Sequence, residues 1–176
     1  MSRPPFEPPT SADIHVVSAQ LGRPARGVAG IAARCACGNP TVVATRPRLE
    51  DGTPFPTLYY LSHPAATAAA STLEATGVMP ELAALLEEEE TAAAYRAAHE
   101  AYLADRAALE EVPEIAGYSA GGMPTRVKCL HALIAHSLAA GPGVNPIGDL
   151  ALARCGWGPE RCECAEPGAA LTGEAR

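Results

Sequence analysis

The chain has 176 residues, of which 48% are hydrophobic and 19% charged, and its eight aromatic residues supply little bulky apolar volume. That is material for one domain and not for two independent cores. The formal charge of −7 is concentrated: ten acids between Glu81 and Glu114 face only Arg96 and Arg106, whereas residues 21–50 carry five arginines against Glu50. So narrow a basic footprint, with no interleaved aromatics and no helix-turn-helix pattern, argues against a nucleic-acid partner. The longest uncharged stretch, Thr53 to Leu73, is broken by Pro54, Pro56 and Pro64, so no membrane-spanning helix is expected.

Residues 1–10 hold four prolines and no periodicity, which predicts a disordered arm. After Thr10, the apolar Ile14, Val17 and Leu21 recur at helical spacing, with Asp13 in the first turn and Gly22 as a stop. The runs GVAGIAARC and PTVVATR flank the turn CGNP, and TLYYLS follows the DGTPFP loop, which predicts a three-stranded antiparallel meander. Ala65 to Ala75, Pro80 to about Glu88 and Thr91 to Glu111 read as helices, with Glu87 to Glu90 a solvated face. Thr125 to Ala139 predicts a further helix, with Pro124 at or near its first position and Gly141 past its end. From Cys129 to Ala140 it carries no charge, so it is the expected buried centre of the domain. GPGVNPIGD reads as a rigid loop, Leu150 to Arg154 as a last turn and 155–176 as a flexible tail. The resulting expectation is a single α+β domain over 11–154, a small antiparallel meander packed on a helical bundle.

The strings RCACGNPTVV, RLEDGTPFPTLYYLSHP, LEATGVM, AAYRAAHEAYLADR and GGMPTRVKCLHALIAHSLAAGPGVNPIGD resemble the actinobacterial proteins of domain of unknown function family 501, over roughly residues 11–150. The resemblance implies no activity. Its pattern carries Cys where this chain has His63, and this implies the exchange of one zinc-competent side chain for another.

The meander itself points to a metal. Cys35 and Cys37 fall at the first hairpin tip, with Gly38 and Pro40 behind them. Strand two runs away from that tip and strand three returns, which brings His63 back towards the two sulfurs. The expected fourth ligand is Cys129, which shares a helix face with His136; His131 is the alternative. Thiolates with an imidazole in a tetrahedral set suit Zn²⁺, and closure by four protein ligands makes such a site structural. Three competing readings stand beside this one. Cys129 is a core residue, Cys35 and Cys37 are a redox pair, although such pairs are normally C-x-x-C at a helix start, and Cys155, Cys162 and Cys164 are incidental. MSRPPFEPPT has no apolar signal region, so the cysteines are expected in a reducing, cytoplasmic setting without structural disulfides.

A second expectation concerns anions. Arg126 and Lys128 fall at the start of the helix expected near 125, and Arg34 and Asn145 would complete an anion-binding set. Cations at that end oppose the helix dipole, so they imply either an anion or a carboxylate partner at Glu100, Asp105 or Glu110. No G-x-S-x-G elbow, P-loop, dinucleotide fingerprint or H-E-x-x-H helix is present. The reading is therefore a cytoplasmic, zinc-stabilised binding or regulatory module for an anionic small molecule or a protein partner, with the oligomeric state open. The alternative is a zinc-dependent hydrolase of a phosphoester or related anion, with Cys35, Cys37 and His63 holding the ion, water in the fourth position, and His131 or Asp149 as base.

Overall fold

The computed structural model describes residues 4–161 and Cys164. Helix α1 (Ser11–Leu21) opens on a capping box, in which the Thr10 side chain accepts the Asp13 N–H and the Asp13 carboxylate accepts the Thr10 N–H; it closes on Gly22 at φ 65°. Strands β1 (Val28–Arg34), β2 (Pro40–Thr45) and β3 (Tyr59–Leu61) form an antiparallel sheet in the order β1-β2-β3. The register aligns Ile31, Val43 and Tyr60 across the sheet, and this row packs with Val17 of α1. Val42 and Ala44, paired with Leu61 and Tyr59, face the helical body instead. All of β2 is therefore buried, as a strand covered on both faces must be.

The helical body comprises α2 (Pro64–Ala75), α3 (Met79–Ala84), α4 (Glu89–Ala107), α5 (Leu130–Ala140) and α6 (Pro146–Arg154). Eight of the eleven residues of α5 are buried, and the helix packs against β3, α2 and α6. The fold is α+β, a small antiparallel sheet on a helical bundle with α5 at its centre. No helix among the described residues is long and apolar enough to cross a membrane.

Three boundaries depart from the pattern reading. Helix α5 starts at Leu130 and not near 125, because Gly121 and Gly122, both at positive φ, fold the preceding segment into a closed loop. The N–H groups of Lys128 and Arg126 donate to the Gly121 and Gly122 carbonyls at 2.7 and 2.9 Å, so neither residue occupies a first helical turn. Part of the expected GPGVNPIGD loop is helix, since Asn145 caps α6 by accepting the Gly148 N–H at 2.9 Å and Pro146 takes the first position. The described part of the proline-rich arm lies against the sheet: Phe6 is buried edge-on to Tyr59 at 5.9 Å, and the Ile31 N–H donates to the Glu7 carbonyl at 2.9 Å. Gly30 permits that crossing, because a Cβ there would run into Phe6 and the Glu7 carbonyl.

Buried polar groups tie the layers together. The Tyr102 hydroxyl accepts the Leu58 N–H at 2.6 Å, the Tyr59 hydroxyl donates to Asp105 at 2.8 Å, and His136 stacks on Tyr59. Arg106, 3% exposed, donates to the carbonyls of Pro56, Ile115 and Tyr118 and so joins the β2–β3 connection to the segment after α4. Arg34 reaches Asp13 at 2.6 Å, Glu7 at 2.8 Å and the Gly38 carbonyl at 2.9 Å, linking arm, first helix and hairpin turn.

A Cβ at Gly148 would collide with the Leu133 carbonyl and the Ser137 hydroxyl where α6 crosses α5. Gly148→Ala is expected to destabilise the fold by about 2 kcal/mol in denaturant melts, despite improving helix propensity. The Arg34 guanidinium holds the Asp13 carboxyl well below the usual carboxylate range. A depressed carboxyl contributes fully above its unfolded pKa of about 3.9, and that contribution is lost as pH falls towards the folded value. Asp13→Asn should therefore cost about 2 kcal/mol at pH 7 and flatten the loss of stability below about pH 5. An unchanged acid limb in thermal melts would contradict this.

Candidate metal centre

Residues 35–39 form the turn that joins β1 to β2. The Cys35 N–H donates to the Asn39 carbonyl at 3.0 Å, the Gly38 N–H donates back to the Cys35 carbonyl at 2.9 Å, and Gly38 adopts φ 86°. A turn closed in this way places the side chains of Cys35 and Cys37 together, with their sulfurs 2.7 Å apart. This exceeds a disulfide bond of about 2.05 Å. Cys35 is buried and Cys37 half-buried.

His63 arrives from β3. Val42 pairs with Leu61, and the Ser62 N–H donates to the Thr41 carbonyl at 3.0 Å, so the chain leaves the sheet at the hairpin end of β2. His63 then serves as the extended residue before α2, where Pro64 takes the first helical position; its side chain makes no capping bond. Burial pushes its imidazole pKa below the ordinary value, favouring the neutral ring that a metal requires.

The group that joins these parts is Cys164. Its sulfur lies 3.7 Å from Cys35 Sγ and 2.8 Å from His63 Nε2, and the sulfurs of Cys35, Cys37 and Cys164 lie within 4.8 Å of one another. The segment leading to it is held on the domain. Cys155 and Trp157 pack against the core, the Trp157 ring stands 5.4 Å from the His63 ring, and the Ala36 N–H donates to the Pro159 carbonyl at 2.9 Å. Over 155–161 and at Cys164 the expected flexible tail is thus folded back onto the hairpin, because that peptide bond and the Trp157 contact fasten it. Cys162 lies outside the described residues.

Cys129, the expected fourth ligand, is elsewhere. It precedes α5 in extended conformation and groups with Glu74 and His131, not with Cys35 and Cys37. The late start of α5 is the reason, since an extended Cys129 no longer projects from the helix face assumed for it. His136 is buried between Tyr59 and Tyr102, with its Nδ1 3.1 Å from the Asn145 amide nitrogen.

The anion-binding set is not assembled. Arg34 is engaged by two carboxylates, and Asn145 is fully buried with its amide committed to Gly148 and His136. Arg126 and Lys128 are exposed on the loop before α5. Of their expected carboxylate partners, Asp105 is bonded to Tyr59, and Glu110 lies 3.9 Å from Arg48. Asp149 accepts the Gly143 N–H at 2.7 Å, bracing the loop before α6.

Three thiols from two distant parts of the chain, the hairpin turn and the C-terminal segment, form a soft donor cluster of the kind structural zinc sites use, and the His63 imidazole adjoins it at Cys164 without falling within 4.8 Å of all three sulfurs. In a tetrahedral centre with Zn–S near 2.3 Å, neighbouring sulfurs stand about 3.8 Å apart, close to the Cys35–Cys164 separation. No curated protein and no solved structure matches the chain. A family model does match, over residues 31–153, a span that includes Cys35, Cys37 and His63 and ends before Cys164. Since that span is well over half of its length, the chain belongs to the family described as Protein of unknown function (DUF501).

Proposed function

We propose that the chain is a zinc-stabilised binding or regulatory module in which Cys35, Cys37, His63 and Cys164 hold one structural Zn²⁺. The observation that carries this reading is the position of Cys164 Sγ, 3.7 Å from Cys35 Sγ and 2.8 Å from His63 Nε2. With three thiols already clustered, a shift of His63, now beside Cys164 alone, would bring a fourth protein donor to the place that a hydrolase keeps for water, which favours the closed, structural arrangement over the hydrolase reading. Thiolate ligation also fits a reducing cytoplasm.

The surface offered for recognition is a cleft of about 410 Å³ beside the centre, whose lining includes Leu138, Pro142, Leu152, Trp157 and Arg161. Its outer wall is the 156–161 segment that leads to Cys164, so the ion would fix the shape of the cleft. Asp149 and Glu160 line the cleft together with Arg161. That mixed charge suits a protein partner better than a small anion.

Metal analysis of the purified, reduced chain tests the reading. Zinc should co-purify. A chelator should remove it and lower the melting temperature by about 10 °C, the scale expected when a ligand present at hundreds of times its Kd is withdrawn. Cys164→Ser should weaken binding at this centre and shorten the protection of the Ala36 amide against hydrogen exchange. Zinc-free wild type with an unchanged melting temperature in chelator would refute the assignment.

A further inference from the structure

The second cluster, where Cys129 and His131 meet Glu74, stands on its own observations. Glu74 belongs to the last turn of α2, and Cys129 and His131 flank the start of α5. Glu74 Oε1 lies 3.2 Å from His131 Nδ1, and Cys129 Sγ lies 4.0 Å from the same nitrogen. All three donor atoms fall within 4.8 Å of one another. From the geometry we infer that Glu74, Cys129 and His131 form a second metal site, an open three-ligand site for a borderline divalent ion of the Zn²⁺ type.

Two features support this. The His131–Glu74 separation is the one a shared ion would impose, and the Cys129 sulfur is within about half an ångström of its place. With metal–ligand bonds of about 2.0–2.1 Å to N and O and about 2.3 Å to S, tetrahedral edges come to about 3.3 Å for N···O and about 3.6 Å for S···N. The ligands are also held from behind. The Leu130 N–H donates to Glu74 Oε1 at 2.7 Å, which fixes the carboxylate, and Ser71 Oγ lies 3.1 Å from His131 Nε2. With Nδ1 on the ion, the Nε2–H donates to that hydroxyl, an outer contact of the kind that selects a metal-ligating tautomer.

The mixed S, N, O set differs from the sulfur-rich centre at the hairpin, and so does its setting. The side chains of His131 and Glu74 are 28% and 29% exposed, and Ser71 is on the surface. Three protein ligands leave a fourth position facing solvent, as zinc enzymes do and structural zinc sites do not. One thiolate and one imidazole select against Mg²⁺ and Ca²⁺, which take oxygen.

Equilibrium dialysis of the full, reduced chain against Zn²⁺, and optical titration with Co²⁺, test the inference. Wild type should bind two equivalents. Glu74→Gln retains an oxygen for the Leu130 N–H, so it should leave the metal-free melting temperature unchanged while weakening one equivalent at least tenfold. Cys129→Ser should remove a sulfur-to-cobalt absorption band from that same equivalent, and Cys164→Ser should affect only the other. A hundredfold excess of Mg²⁺ should displace neither. A single equivalent, insensitive to Glu74→Gln and Cys129→Ser but weakened by Cys164→Ser, would overturn the second site and leave the hairpin centre standing. A single equivalent sensitive to Glu74→Gln and not to Cys164→Ser would do the reverse.

Discussion

The turn between β1 and β2 is the constraint on which the rest of the molecule depends. A five-residue turn cannot bury much on its own, yet segments from both ends of the chain are fastened to it. Arg34, on its threshold, binds Glu7 of the arm, Asp13 of α1 and the Gly38 carbonyl of the turn. Two residues on, the Ala36 N–H donates to the Pro159 carbonyl of the C-terminal segment. The contacts are polar and directional, so they set orientation where an apolar surface would only set proximity. Arg34 is suited to this because its planar fork serves two carboxylates and a carbonyl at once.

Behind the turn, a different kind of bond organises the core. The domain has few aromatics, and three of them, Tyr59, Tyr95 and Tyr102, are fully buried. Each carries a hydroxyl that must be satisfied: Tyr59 uses Asp105, Tyr95 donates to the Arg126 carbonyl, and Tyr102 accepts from the main chain of Leu58. Burial raises the Tyr102 pKa to about 12, consistent with a neutral hydroxyl in an enclosed site. Small residues do the remaining work, with alanines along α2, α4 and α5 and Gly148 in α6 letting helices approach closely. Such a core specifies its geometry through a few polar contacts, because leaving any of these groups unpaired costs more than a lost apolar contact.

The two donor clusters illustrate how placement decides chemistry. Cys35 and Cys37 come from the turn, His63 from a helix start and Cys164 from a returning C-terminal segment, so a shared ion there would clamp distant parts of the chain. Glu74, Cys129 and His131 come from two helix ends that already pack together, so closure there would add little to the fold. A site that is not needed for cohesion is free to keep a coordination position open.

Local pattern was enough for most elements. The spacing of Ile14, Val17 and Leu21 before Gly22 marked α1, and the β-rich runs GVAGIAARC and PTVVATR on either side of CGNP marked the hairpin, because both depend on neighbours a few residues apart. The convergence of His63 on the hairpin end was legible for the same reason, since strand lengths fix where a meander returns. The start of α5 was not, because Val127 and Lys128 are compatible with helix, and only the closed loop at Gly121 and Gly122 removes their N–H groups from it. The contact of the arm with the sheet was hidden too: four prolines deny the arm internal hydrogen bonds, but not those offered by the edge of β1, where Glu7 pairs with Ile31.

The sequence by itself determined the fold class and the return of the chain at His63 to the hairpin end of the sheet, both consequences of short-range periodicity and chain length. Tertiary structure alone decided that Cys164, among the described residues, comes beside the hairpin thiols. Cys164 is 101 residues from His63 along the chain, and no local rule constrains contacts at that distance. A signal was present in the second C-x-C spacing, Cys162 to Cys164, echoing Cys35 to Cys37. Its meaning depended on a Trp157–His63 contact and one peptide hydrogen bond from Ala36, interactions that exist only once the sheet and α5 have formed a surface to receive them.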